Sequence, residues 1–267
     1  MDVLQRFVDV LHPYGLDIVE PLCLRWYNEA APSHALLDQR ADALALVVGN
    51  SCAIWEPFLA SLQTHLFSSS DAPDSGDGDA LSANPLDEYA TDCVQKAIHG
   101  VGVPARIHWG YDLRPGRMVA LQKAAHCTGA FAHDGQHSHL CFHETLGSWC
   151  SLRAMIVFES IDGPKSMPAA RAHLPDEAVL IDLATLMRKA LSVQSTVSPV
   201  DVLTTAAADA WVKFRANAGK SHPHATFQPL HLRYTVTKDR RLLLFALADR
   251  WPEHKQACEQ MSSAIDG

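Results

Sequence analysis

The sequence predicts an α+β fold, and three observations lead to it. Leu152 to Phe158 is apolar on both faces, as in a strand covered from both sides. Ala43 to Val48, ending at Gly49, has the length and flanks of a second buried strand. Beyond Ser160 the apolar residues recur only at helical spacing, so strands and helices come first and helices alone come last.

In chain order, Leu4, Phe7, Val8 and Leu11 give a first helix its core-facing stripe, stopped by Pro13 and Gly15. Leu16–Leu24 reads as a strand. Ser51 can cap a helix whose stripe is Trp55, Phe58, Leu59, Leu62 and Leu66. The stretch 68–83, SSSDAPDSGDGDALSA, is too polar to bury and reads as a disordered surface insertion. Asn84 and Pro85 open a helix carrying Leu86, Tyr89, Ala90, Cys93, Val94, Ala97 and Ile98. Ile107, Trp109 and Tyr111 alternate, giving a strand over 104–112. Met118, Leu121 and Ala125 predict a helix over 118–130, and two strands around a Gly-containing turn follow in 141–158. Pro175-Asp176-Glu177 begins a helix with Leu180, Leu183, Met187 and Leu191 on one face. Ser198 to Asp201 is a capping-box start for a helix with Leu203, Ala207, Ala210, Trp211 and Phe214. The last segment, 235–249, reads as helical from Asp239, opened by Arg240 and Arg241.

Composition narrows the function. A net charge of −8 argues against a nucleic-acid or membrane-surface binder. No run reaches the ~20 apolar residues of a membrane span. The first fifteen residues lack a basic region with a long apolar core, so no secretory signal is expected. Seven cysteines, odd in number and widely spaced, suit reduced thiols in the cytoplasm.

Two features of the stretch 124–160 carry chemistry. His126 and Gly129 form an H-x-x-G step; the glycine either ends the helix or admits a close neighbour. Arg153 interrupts the most apolar strand. A guanidinium there is costly unless it meets a protein carboxylate, reaches solvent or binds an anionic ligand. Other chemistries lack support. His137, His139, Cys141 and His143 share one strand parity and could suggest zinc. Strand neighbours on one face lie ~6.6 Å apart, however, and four collinear residues cannot surround an ion, so no metal is expected. Cys127 beside His126 points away from it on a helix, so a catalytic thiol pair is not favoured. No G-x-S-x-G elbow or phosphate-cradling glycine loop occurs.

Three blocks in order resemble the CblC type of cobalamin-processing protein, the MMACHC family. They are LHPYGLDIVEPLCLRWYNE at 11–29, AAHCTGAF at 124–131, and CFHETLGSWCSLRAMIVF at 141–158, in the pattern C-x-H-x-x-x-G-x-W-x-x-x-R. The resemblance covers roughly residues 4–160 and is looser beyond. It implies one domain over 1–267, with a flavin-reductase or nitroreductase-like mixed sheet flanked by helices and a helical C-terminal part.

The implied activity is removal of the upper axial group from base-off cobalamin. Alkylcobalamins would be dealkylated by glutathione, and cyanocobalamin decyanated reductively with FMN or FAD. The enzyme would thus be an alkylcobalamin dealkylase and cyanocobalamin reductase. A cobalamin chaperone with little turnover, or a nitroreductase-like flavoprotein, are the alternatives. A CblD-type trafficking protein and a second copy of the chain are implied partners. By the resemblance, Gly110, Val119, Leu121, Gln122, His133, Asp134, Gly135, Ser138 and Leu152 fall at cobalamin contacts. Arg153, Arg215 and Arg241 fall at glutathione anchors. His133-Asp134-Gly135 departs from the family's aromatic-rich segment. No catalytic side chain is assigned.

Overall fold

The computed structural model describes residues 3–67, 81–194 and 205–265. Among the described residues there are six strands: β1 (Ile18–Cys23), β2 (Ala43–Asn50), β3 (Arg106–Trp109), β4 (Phe131–His133), β5 (Cys141–His143) and β6 (Ser151–Asp162). Helices are α1 (Val3–Leu11), α2 (Leu24–Ala30), α3 (Trp55–Phe67), α4 (Pro85–Val101), α5 (Leu121–Cys127), α6 (Glu177–Gln194), α7 (Thr205–Ala218), α8 (Pro229–Thr237), α9 (Arg241–Arg250) and α10 (Lys255–Ile265).

The main sheet has the order β1-β2-β6-β3. Every pairing in it is antiparallel. The expected mixed sheet is therefore corrected: each connection returns its strand from the far end of its neighbour, so no parallel pair arises. The two strands expected around a Gly turn are also not partners. β5 pairs with β4, whereas β6 lies between β2 and β3.

Alternation along the central strands decides how the layers form. Leu44, Leu46 and Val48 of β2 and Ile156 and Phe158 of β6 enter one core with α1, α3, α4 and α9. Ala43, Ala45, Val47, Met155 and Val157 enter a second core with α2 and α5. All eight residues of β2 are buried, which is why both runs are apolar throughout. The smaller sheet β4–β5 closes the second core with Phe131 and Cys141.

Several local readings shift. The central helix is α5, shorter than 118–130, because Gly129 takes a left-handed backbone at φ 74. Both readings of Gly129 apply: it follows the helix end, and a Cβ there would lie 2.7 Å from the Ala169 carbonyl oxygen. Residues 68–80 of the expected insertion lie outside the described residues, as does the expected capping box at 198–201. The insertion does not extend over its last residues, since Leu81 is buried in the first core. α8 was hidden by its Thr, Val, Tyr and His residues, which favour strands or are neutral in helices. α10 is mostly polar and was not expected.

One buried hydroxyl joins the layers. Tyr27, fully buried, donates to the Ala35 carbonyl at 2.7 Å and accepts from the Ala120 N–H at 3.0 Å, directly before α5. Replacing it by Phe strands both backbone partners. Tyr27→Phe should lower the unfolding free energy by about 1–3 kcal/mol, read from urea denaturation with an unchanged m value.

Candidate functional site

An open cleft of about 380 Å³ lies where β6 enters the sheet. Its wall combines Gly110 and Tyr111 after β3, Val119, Leu121 and Gln122 around α5, and Leu152 and Arg153 of β6. Asp87 of α4, the segment His139–Cys141, Cys150 and Arg215 of α7 complete it. Three layers thus converge on one end of the central strand. Gly110 is tied there by its N–H, which donates to the Arg153 carbonyl at 2.9 Å.

Two guanidiniums dominate the electrostatics. Arg153 Nη1 lies 2.7 Å from an Asp87 oxygen, and its Nε donates to Asn50 Oδ1 at 2.7 Å. The carboxylate reading of this arginine is therefore realised, yet the same side chain lines the cleft. Burial works against its charge and Asp87 offsets that loss. Arg215 is different. Its Nη2 donates to the Cys150 carbonyl at 3.2 Å, and among the described residues no carboxylate pairs with it. Burial alone pushes its pKa down. A half-buried guanidinium lining a cleft without a carboxylate is a ready anion site.

The cleft thiols are not activated. Burial raises Cys141 to about 12 and Cys150 to about 11, so both stay protonated near neutral pH. Cys127 is buried, with its thiol donating to the Trp26 carbonyl and its pKa raised by burial. None of the three offers a nucleophile.

Comparison with known proteins places this arrangement. Residues 15–185 match the Methylmalonic aciduria and homocystinuria type C family.

The chain belongs to the MMACHC family.

Two relatives are named cyanocobalamin reductase / alkylcobalamin dealkylase. The human protein is 23% identical over 190 residues, 63% of this chain and 61% of its own length. The zebrafish (Danio rerio) protein is 27% identical over 175 residues, 60% of this chain and 66% of its own length. The chain thus spans under two thirds of either relative. The crystal structure of a C. elegans B12-trafficking protein CblC, described as a human MMACHC homologue, is similar in fold. Its TM-score is 0.65 at 15% identity, covering 90% of this chain and 94% of that one.

Within this MMACHC-family cleft the structure gathers seven residues singled out from sequence: Gly110, Val119, Leu121, Gln122, Leu152, Arg153 and Arg215. It does not gather the rest. Arg241 stands outside the cleft lining, its Nη2 2.8 Å from Asp239. Asp134 is turned inward. Its carboxylate, 2% exposed, accepts from the N–H groups of Gln136, His137 and Ser138, from Ser138 Oγ at 2.8 Å, and pairs with His137 Nδ1 at 3.1 Å. Asp134 and Ser138 therefore organise the β4–β5 loop and do not line the cleft. His133 and Gly135 flank that knot. His126 is exposed, and its Nδ1 meets the Phe131 carbonyl at 3.1 Å, an arrangement that ties α5 to β4.

The supposed strand parity of 137–143 also fails, because β5 contains only Cys141–His143. A different group gathers instead. Ligand atoms of Glu20, His143 and Glu144 lie within 4.8 Å of one another. Arg171 already spans the two carboxylates, at 3.2 Å from Glu20 and 2.9 Å from Glu144, so a guanidinium holds the position a cation would take. Sequence reasoning missed Asp87, Tyr111, His139, Leu140, Cys141 and Cys150 as cleft residues. Asp87 lies in a distant helix, and nothing in its local pattern signals the pairing.

Asp134 yields a pH prediction. Its hydrogen bonds hold the carboxyl well below the usual carboxylate range despite burial, which works the other way. The stability it contributes is full above the unfolded pKa, about 4, and is lost as pH falls from there toward the depressed folded value. Asp134→Asn should therefore be clearly less stable than the parent at about pH 6, with the gap narrowing progressively as pH falls below about 4, by urea midpoints.

Proposed function

We propose that this chain binds base-off cobalamin in the cleft at the start of β6 and transfers its upper alkyl group to glutathione. The observation that carries this reading is the pair Arg153 and Arg215, in a member of this family, both half-buried and both lining the cleft. A corrinoid is larger than the cleft, so it would seat one face there and extend past its lip. Val119, Leu121 and Leu152 supply apolar wall for the macrocycle, and Gln122 supplies an amide for its polar side chains.

Glutathione brings two carboxylates and a thiol that must ionise. Arg215, lacking a carboxylate, fits one carboxylate through charge-assisted hydrogen bonds. Arg153, already on Asp87, fits better as a field that favours thiolate than as a free anchor. Arg241 would act only on an anion reaching beyond the cleft. The thiolate attacks the cobalt-bound carbon in line; a sulfur–carbon bond forms, the cobalt–carbon bond breaks, and its electron pair stays on cobalt as Co(I). No side-chain nucleophile is required, in keeping with protonated Cys141 and Cys150.

Decyanation of cyanocobalamin would need electrons from a reduced flavin, FMN or FAD. A nitroreductase-like ancestry, cytoplasmic location, a CblD-type partner and self-association belong to the same reading. The chaperone alternative has one observation in its favour: Arg153 is already neutralised by Asp87, leaving fewer unpaired cations for glutathione.

Anaerobic incubation with methylcobalamin and glutathione separates these readings. Cob(I)alamin together with S-methylglutathione supports the transferase; tight base-off binding without product supports the chaperone; flavin turnover without cobalamin binding would leave a different flavoprotein. Arg215→Gln should raise the glutathione concentration needed for half-maximal rate by about 10–100-fold, the loss of a charge-assisted contact, with little change in cobalamin affinity. Equal loss of both would remove Arg215 from the glutathione site. Arg153→Ala is a poorer probe, because it also leaves Asp87 without its partner.

A further inference from the structure

We infer that Trp149 is a positioning residue for the anion anchor Arg215, fixing the end of α7 so that the guanidinium meets the cleft. The inference rests on the glutathione reading of Arg215 above and adds the residue that holds it in place. Trp149 is 2% exposed and stands outside the cleft lining, so it touches neither reactant. Arg215 lies in the last turn of α7, where helices fray because their final carbonyls lack partners within the helix. Its guanidinium donates to the Cys150 carbonyl at 3.2 Å. A charged head on a flexible stem, held at a carbonyl alone, is only as well placed as the backbone it grows from.

That backbone is held by the residue next to Cys150. Trp149 Nε1 donates to the Gly219 carbonyl at 2.8 Å. Gly219 follows α7 directly, and its own N–H donates to the Arg215 carbonyl at 3.2 Å. The adjacent residues Trp149 and Cys150 therefore grip Arg215 at both ends, one through the helix terminus and the other at the guanidinium. The fit leaves no spare room. A Cβ at Gly219 would run into Trp149 Nε1 and Cε2, so the indole rests against bare backbone. Trp149 is braced from behind by Phe227, 5.5 Å away between ring centroids, in a cluster with Ala225 and Leu232.

Neighbouring contacts continue the same docking. A Cβ at Gly147 would run into His222 Nδ1, and His224 Nε2 donates to the Thr145 carbonyl at 2.9 Å. Residues 145–150 thus receive residues 219–224, the segment that leaves α7. This gives a use to the G-x-W part of the sequence pattern. The glycine admits His222, the indole holds Gly219, and the arginine four residues after the indole lines the same cleft as Arg215.

A double-mutant cycle on demethylation of methylcobalamin by glutathione, with the full chain, tests this. Trp149→Phe keeps an aromatic ring beside Phe227 and removes the N–H. It should raise the glutathione KM about 3–10-fold, the worth of one hydrogen bond, with cobalamin affinity unchanged. Gly219→Ala keeps the N–H but pushes the indole off the helix end, and should raise KM likewise. In an Arg215→Gln background neither substitution should raise KM further, because the group being positioned is gone. A merely structural loosening would add its penalty in both backgrounds, so additive effects overturn the inference. An unchanged KM in either variant, where Arg215→Gln alone raises it, also overturns the inference and leaves the glutathione reading intact. If Arg215→Gln itself leaves KM unchanged, or the parent shows no demethylation, that reading fails and the inference falls with it.

Discussion

A single charge in the most deeply covered strand organises this molecule. β6 is buried on both faces from Ala154 to Phe158, and Arg153 stands immediately before that run. Its guanidinium must be compensated, and three separate elements meet there to do it: Asn50 at the end of β2, Asp87 in the first turn of α4, and the open cleft. The position of α4 against the sheet is thus tied to the same group that faces the ligand space. A cavity at the mouth of a double-covered strand follows from the packing, because the layers cannot close over a charge without losing its solvation.

The two clefted arginines divide the work. Arg153 is held within the protein and carries a fixed field. Arg215, on α7, has only a carbonyl for company among the described residues. An incoming carboxylate gains most at the guanidinium whose burial is least compensated, since that is where an anion relieves the larger desolvation cost. The neighbouring thiols stay protonated for the same reason, burial without a compensating cation strong enough to lower them. The site therefore offers positive charge at its wall and, in Cys141 and Cys150, no ionised thiol.

How much of this was legible in the sequence depended on the range of the interaction. The buried strands were visible because double-sided burial leaves an uninterrupted apolar run, as in Ala43–Val48 and Leu152–Phe158. Gly129 was visible because a positive φ selects for glycine. Arg153 stood out by its cost. The rest turned on contacts that no local pattern encodes. The pairing of β5 with β4 rather than β6 is tertiary, and it undid the parity argument for residues 137–143. Asp134 looked like a ligand contact by position, yet loop backbone amides claim both of its oxygens. Arg241 sat at the start of a helix as expected, but Asp239, two residues away, captures it.

A buried histidine behind the cleft fits this economy of charge. His231 is 1% exposed, stacked between Trp55 at 4.7 Å and Phe227 at 4.1 Å between ring centroids. Burial and the nearby charges of Arg153 and Lys238 push it down to about 3, so it stays neutral across the physiological range. Tyr234, beside Arg153, is likewise kept un-ionised by burial. The rings behind Arg153 are thus uncharged, and the opposing charge comes from Asp87 alone among the groups bonded to it. Lys238 stands near the same carboxylate, over the Tyr234 ring, with its charge opposed by burial and by Arg153. Two cations therefore share the field of one carboxylate, which leaves the guanidinium incompletely offset on its cleft side.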